Sequence, residues 1–187
     1  LTALYLFAKA GVPADSVAIV GVGGGASAVA DLEKGNVDAV SHLDPVISKL
    51  EADGAVDILV YTRTEAGTKA VYGSTNPAAT LYLKADFVKA NPNTTQALTN
   101  ALYKALKWLE TASPDDVAAS VPEEYWLGDK ALYVKAVAAS LPTYSRTGIV
   151  SDEASRGKLD FHKATAPAIK ADAIDLAKTF DGRFAAK

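Results

Sequence analysis

The chain has 187 residues, of which 49% are hydrophobic and 22% are charged, and its formal net charge is −3. This balance is typical of a globular protein with a buried core, and without clustered Lys and Arg it excludes nucleic acid as a partner. The sequence has no cysteine, which excludes disulfides, thiolate metal ligands and thiol nucleophiles. No stretch reaches the roughly 20 apolar residues that a transmembrane helix needs.

The first segment has the pattern of an amphipathic helix. It covers residues 1–10 and is ended by Gly11 and Pro13. No capping residue precedes Leu1, and the sequence does not open on Met. We therefore expect Leu1 to lie inside a longer polypeptide, incomplete here at its N-terminus.

The next segments alternate between short apolar runs and helical patterns, with short connections between them. The predicted elements, in chain order, are strand 17–20, helix 26–34, strand 37–41, helix 45–52 and strand 56–61. Asp44 is the predicted N-cap of the second of these helices, and Pro45 suits its first turn. Such alternation predicts a parallel sheet with helices on its faces, which is an α/β fold.

The amino-acid composition and the predicted secondary structure change after residue 64. Residues 65–77 are rich in small polar side chains and are predicted to be irregular, residues 79–83 could form one more strand, and the remainder is predicted to be helical. The helical predictions are 85–89, 94–111, a helix capped by Ser113, 129–140 and 152–166. The predicted buried face of the longest helix consists of Leu98, Leu102, Ala105, Leu106 and Leu109.

A glycine run at residues 21–26 fits the dinucleotide pattern G-x-G-x-x-G/A, and it lies between a predicted strand and a predicted helix. Asp38 and Asp44 lie near the distance expected of a ribose-binding acid. A tight turn alone would also favour these glycines. Of the functional interpretations, a site for a small polar or anionic solute is preferred to a dinucleotide site. Both would use the amides and the dipole at the start of the helix.

Polar side chains follow the second predicted strand, where open parallel sheets bind ligands. His42 and Asp44 could both reach a solute there, although Asp44 could serve only as a helix cap and His42 only as a loop residue. The segment 72–77 carries hydroxyl and amide groups that suit a solute, or it is an exposed connector. Two histidines and no nucleophile elbow do not predict a catalytic triad, and no paired spacing predicts a metal site.

Several segments, in their order along the chain, resemble the type II periplasmic binding proteins. The first is Gly35-Asn36-Val37-Asp38-Ala39-Val40 followed by Asp44-Pro45, although Leu43 and Asp44 stand where the family has an aromatic residue before the proline. The later segments are residues 81–87 with 91–92, 121–125, 144–148 and 175–184. The branch that they resemble serves uptake of nitrate, aliphatic sulfonates, taurine and thiamine precursors, and the resemblance covers nearly the whole chain.

The resemblance implies two lobes with the solute between them. Residues 1–75 would form most of the second α/β lobe, and residues 76–187 would form the helical C-terminal part of the first lobe. The expected function is that of a periplasmic or cell-surface solute-binding component of an ABC importer, with a membrane permease as partner, no cofactor and no catalysis. The candidate solute-binding residues are Gly23, Gly24, Gly25, Ala26, Ser27, Ser41, His42, Asp44, Tyr72, Gly73 and Ser74.

Two enzyme classes stand as alternatives. The first is a dinucleotide-dependent α/β enzyme that uses the turn at residues 21–26, which would need more sheet beyond residue 64 and a positioned acid–base residue. The second is a pyrimidine-precursor synthase on the same fold, which would need a histidine or metal cluster that the sequence does not show.

Overall fold

The computed structural model describes residues 1–126, 128–166 and 168–185. The regular secondary structure of these residues consists of helices, joined by turns and irregular segments. The α-helices are α1 (Thr2–Ala10), α2 (Ala26–Glu33), α3 (Val46–Ala52), α4 (Glu65–Tyr72), α5 (Ala85–Ala90), α6 (Pro92–Leu109), α7 (Pro114–Ala119), α8 (Lys130–Ser140) and α9 (Asp152–Thr165). Short 3₁₀ turns occupy Ala14–Ser16, Glu123–Trp126, Leu141–Thr143, Ala171–Ala173, Leu176–Lys178 and Gly182–Phe184.

Local sequence signals account for several helix boundaries, and the predicted cap at Ser113 and the predicted end of the first helix at Gly11 are confirmed. Ser113 accepts from the amide of Asp116, and the Asp116 carboxylate accepts in return from the amide of Ser113, which is a capping box. Asp129 and Ser151 cap α8 and α9 through their side chains in the same manner. Gly11 ends α1 in the left-handed conformation, with φ of 70°.

The predicted strands are not observed among the described residues. Segments 17–20, 37–41, 56–61 and 79–83 run as irregular chain between the helices. Strand ladders need a partner for their backbone hydrogen bonds, and none is present beside these segments in the described part of the chain. The prediction that residues 17–20 are buried is wrong, because Ile19 and Val20 are 58% and 62% exposed. The parallel sheet therefore stays a prediction.

Residues 65–72 form helix α4, so the prediction that this segment is irregular is wrong. The hydroxyl of Thr64 accepts from the amide of Gly67 at 3.0 Å, which satisfies one of the free donors of the first turn. Glu65 adds a negative charge at the positive end of the helix dipole. Thr64 was not predicted as a cap because small polar residues, which are also typical of loops, follow it in the sequence.

Helix α6 buries only part of the predicted face, because Leu106 and Leu109 are half-buried whereas Ala105 is exposed. Leu98 and Leu102 are 41% and 49% exposed, whereas Thr95 is buried. On the inner side, the Gln96 amide donates to the carbonyl of Phe184 at 2.9 Å. The contact with the C-terminal segment therefore sets the orientation of α6, and the apolar stripe through Leu98 and Leu102 faces outward among the described residues.

The chain divides into two compact units, which are Leu1–Gly67 with Ala112–Thr143, and Thr68–Thr111 with Tyr144–Lys187. This division differs from the predicted lobes 1–75 and 76–187, because α8 packs against α3 and returns residues 112–143 to the first unit. The assignment of the lobes remains a prediction.

The core of the first unit lies between α2 and α3. Its buried residues are Ala28, Val29, Val46 and Leu50, and partly buried Val22, Leu32, Val40 and Val56 pack against it. The three flanking valines lie in the segments between helices. The glycine turn and the loop before α3 therefore both pack against α2 and α3. Leu50 is fully buried, which contributes about 1.5–3 kcal/mol relative to an exposed side chain.

The core of the second unit surrounds α9. Ala154, Phe161 and Ala171 are buried, and the ring of Tyr72 meets the ring of Phe161 edge to face with centroids 5.7 Å apart. Such a geometry is favourable for two aromatic rings. It fixes the end of α4 against α9 within this unit.

Candidate functional site

The glycine turn before α2 adopts conformations that require glycine. Gly23 and Gly25 have φ of 69° and 59°, a region that residues with a Cβ rarely occupy. Gly25 is the N-cap and offers no side-chain cap to the helix. The amides of the first helical turn have no partner within a helix, so α2 presents donors and the positive end of its dipole at this turn.

Gly24 and Ser27 define how open the turn is. A Cβ added to Gly24 would meet no atom within 4 Å, and Gly24 has no left-handed φ. The Ser27 hydroxyl lies 2.8 Å from the carbonyl of Val22 and 3.0 Å from that of Gly24, so it links the turn to the start of α2. The turn is thus held by Ser27 and open at Gly24.

His42 joins the loop before α3 to the glycine turn. Its Nε2 lies 3.1 Å from the carbonyl oxygen of Gly23, and its Nδ1 lies 3.2 Å from that of Leu43. A carbonyl only accepts, so a neutral ring satisfies one of these two bonds and a protonated ring satisfies both. The two predicted segments 23–27 and 41–44 are therefore brought together, with His42 half-buried between them and Ser41 exposed beside it.

Asp44 is engaged by the protein itself. Its Oδ1 accepts from the Ser48 amide at 3.1 Å and from the Ser48 hydroxyl at 2.8 Å, and its Oδ2 accepts from the Ser140 hydroxyl at 3.2 Å. Pro45 holds the N-cap position of α3, and Asp44, one residue earlier, performs the capping. Arg63 forms an ion pair with the same carboxylate at 2.8 Å.

The third predicted segment lies in the second unit, so the convergence of all three segments on one crevice remains a prediction. Gly73 has φ of 75°, and Ser74 is buried with its hydroxyl donating to the carbonyl of Thr75 at 3.0 Å. This segment forms one wall of an open cavity of about 360 Å³. The lining residues are Tyr72, Gly73, Ser74, Asp152, Glu153, Arg156, Gly157 and Asp160.

Comparison with known proteins assigns the chain to a family. A model of the NMT1-like family matches residues 2–122, which is more than half of the chain. The chain belongs to the NMT1-like family. The match supports the predicted branch of solute-binding proteins, and this family generally contains binding proteins that act outside the cytoplasm. A search of curated proteins finds no match.

A solved protein structure from Bordetella bronchiseptica RB50 is also similar. The two chains are 41% identical and superpose with a TM-score of 0.92, with 97% of this chain covered. The chain spans 57% of the length of that protein.

NMT1-like membership bears on the alternatives. It does not favour a dinucleotide enzyme, and the engaged Asp44 carboxylate leaves that residue poorly suited to a ribose hydroxyl. In the described residues, no group of three or more acidic or histidine side chains could hold a metal ion. None of the helices within the described ranges has the length and apolar character required to cross a membrane.

Sequence reasoning missed two sets of residues in this NMT1-like chain. Arg63 follows the third predicted strand, and its position at a strand's carboxyl end was the available signal. The charged side chains of α9 that line the cavity, Asp152, Arg156 and Asp160, recur every four residues along one helix face, and this spacing was visible in the sequence.

Proposed function

We propose that this chain is the solute-binding component of an ABC importer, which captures a small polar or anionic solute outside the cytoplasm and delivers it to a membrane permease. The candidate solutes are nitrate, a sulfonate, taurine and a pyrimidine. Membership of the NMT1-like family supports the binding role. The observation that carries the proposal is the contact between His42 Nε2 and the Gly23 carbonyl, which holds the loop before α3 against the glycine turn that leads into α2.

The chemistry of this surface suits a solute that accepts hydrogen bonds. The first turn of α2 offers amide donors and a partial positive charge, and such helix starts bind anionic or strongly polar groups in many proteins. Asp44 does not oppose this, because its charge is paired with Arg63 within the protein. Ala26 and Ser27 are exposed, so the backbone at the start of the helix is accessible to a solute.

The segment 72–74 is proposed to take part in binding as well. Gly73 is exposed and Tyr72 is half-buried, and both border the cavity next to α9. This contribution rests on the sequence resemblance and on the cavity within the second unit.

A substitution at Gly24 tests the proposed site. Gly24→Val places a branched side chain in the open space above the turn without a left-handed φ to strain. We expect the dissociation constant of the bound solute to rise by more than about tenfold, which is roughly 1.4 kcal/mol. The measurement is calorimetric titration of the purified chain with nitrate, methanesulfonate, taurine and uracil.

Gly21→Val is the matched control for that titration. Gly21 also has open surroundings and no left-handed φ, but it lies at the other end of the run. The control should bind solute like the unaltered chain. Equal affinity of folded Gly24→Val for the solute would place the site elsewhere, and loss of binding in both variants would indicate that the whole turn, rather than its open centre, is involved.

A further inference from the structure

Arg63 pairs with two carboxylates of the first unit, and one of them, Asp44, belongs to the loop that carries His42. Its Nη2 donates to Asp44 Oδ1 at 2.8 Å, and its Nη1 donates to Glu51 Oε2 at 2.8 Å. The side chains of Arg63 and Asp44 are only 16% and 11% exposed. The guanidinium also lies 5.5 Å from the ring of Tyr61, a distance at which a cation is attracted to the aromatic face.

The Asp44 carboxylate would otherwise add a negative charge close to His42. It lies two residues along the chain from His42, and its remaining contacts are the neutral donors of Ser48 and Ser140. Neutral donors satisfy hydrogen bonds without cancelling the charge. Since partly buried charges are screened less by water and salt than exposed ones, an unpaired Asp44 would repel an anionic solute at the neighbouring turn.

The charge of Arg63 is constant under all ordinary conditions. Burial opposes the charged guanidinium, but the hydrogen bond to Glu51 and the charge of Asp44 outweigh that effect and raise the pKa of Arg63 above its usual value. The guanidinium therefore stays charged throughout the physiological pH range. It acts as a fixed part of the surface on which the solute is bound.

We infer that Arg63 is a positioning residue that sets the charge preference of the solute surface, by neutralising Asp44 and holding the His42 loop against the glycine turn. The inference rests on the proposed function. It predicts that the surface binds anionic and zwitterionic solutes in preference to neutral ones, because a largely buried cation pairs with the carboxylate that lies two residues from His42. Arg63 itself is not required to touch the solute.

The test compares solutes of different charge on variants of the ion pair. Methanesulfonate is the anionic probe, taurine the zwitterionic probe and uracil the neutral probe, each titrated into the purified chain by calorimetry. Arg63→Gln should weaken binding of methanesulfonate by about tenfold, the scale of one partly screened charge, and should change uracil binding by less than about twofold. Arg63→Lys should retain most of the anion affinity because it keeps the charge.

Two further variants separate charge from structure. Arg63→Gln combined with Asp44→Asn should recover the anion affinity, because the charge that Arg63 neutralised is gone. Asp44→Asn alone keeps Arg63 and should strengthen methanesulfonate binding by about threefold. Asp53→Asn is the matched control, since it removes a carboxylate that pairs with Lys49 rather than with Arg63 and should leave the preference among the three probes unchanged.

The outcomes are distinguishable. If the unaltered chain binds none of the probes, the proposed function fails and this inference fails with it. If the chain binds a probe but Arg63→Gln weakens all probes equally, Arg63 has only a structural role and the inference alone is overturned. The same holds if the unaltered chain binds only uracil. Should Arg63→Gln fail to fold, Asp44→Asn decides, and unchanged affinity for methanesulfonate in that variant overturns the inference.

Discussion

The two candidate solute segments are held in place by different kinds of interaction. In the first unit, the glycine turn and the His42 loop are joined by polar contacts, from His42 to the Gly23 carbonyl and from Asp44 to Arg63. In the second unit, the segment 72–74 is held mainly by close packing on α9. A Cβ on Gly157 would overlap the Ser74 hydroxyl, and Tyr72 packs on Phe161.

This difference predicts which kind of substitution, in charge or in side-chain volume, affects each segment. Polar contacts depend on charge and leave backbone donors available to a solute. Substitutions that change charge in the first segment can therefore alter the charge of the solute that it prefers, without changes in the packing of a core. Close packing responds to volume, so the second segment sets a shape and tolerates little change in size. Variants that alter only volume or only backbone conformation should therefore affect the two units differently.

The largest expected effect is that of Gly157→Ala in α9. In an ordinary helix this change would stabilise the protein by roughly 0.5–1 kcal/mol. Here the new Cβ would overlap the Ser74 hydroxyl and lie 2.9 Å from the Ser74 Cβ, so we expect a loss of about 1–3 kcal/mol in the free energy of unfolding. Urea denaturation followed by circular dichroism measures it.

Ser74→Ala combined with Gly157→Ala is the control for that contact. Removal of the hydroxyl relieves the worst overlap, so the double variant should regain part of the lost stability, which a general helix effect would not allow. A Gly157→Ala variant that unfolds at a higher urea concentration than the unaltered chain would contradict close packing of α9 on the segment 72–74.

A backbone effect of intermediate size is expected at Gly25. Its φ of 59° and ψ of −130° suit glycine alone, so Gly25→Ala should cost about 1–2 kcal/mol of unfolding free energy through backbone strain. Gly24→Ala, one residue away with open surroundings, should change stability by less than about 0.5 kcal/mol. Thermal unfolding of both variants checks the pair, and equal stabilities would show that the turn relaxes around a side chain.

Most of the helices, α4 excepted, were predictable because their signals are local. Ser113 with Asp116, and Gly11 after α1, act within a few residues of each boundary. The strands were not verified, because pairing depends on distant residues and no local pattern supplies a partner. The burial of α6 was mispredicted for a related reason, since its contact with Phe184 comes from a segment 88 residues away.

The candidate site was predictable in the same partial sense. Turn glycines and a polar loop after a predicted strand marked the positions of Gly23 and His42, and the structure brings those two residues together. The role of Arg63 was not predicted, because the contact with Asp44 joins residues 19 apart and depends on how α3 folds back. Whether these residues bind a solute stays a prediction.

The smallest expected effect concerns Lys158, the polar contact within the packed region. Its ammonium donates to Asn76 Oδ1 at 3.0 Å and lies 4.8 Å from the centre of the Phe161 ring. Burial lowers the pKa of Lys158 from its usual 10.5, because the charged form is less well solvated where the ammonium lies over the Phe161 ring. Lys158→Met should therefore change the unfolding free energy at neutral pH by less than about 1 kcal/mol, since the lost contacts and the relieved burial of charge offset each other.

The pH dependence of that small effect identifies its cause. Because the folded pKa is lowered, the unfolded chain binds more protons in the range between the folded pKa and 10.5, so the contribution of Lys158 to stability is greatest above 10.5 and is lost as pH falls through the folded pKa. The stability of the unaltered chain minus that of Lys158→Met should thus rise as pH increases towards 10.5. Lys163→Met, an exposed position on the same helix, controls for the loss of one positive charge. A difference that stays flat or falls over this range would show that burial does not penalise the charge of Lys158, and the second unit would then resemble the polar contacts of the first unit more closely than its geometry indicates.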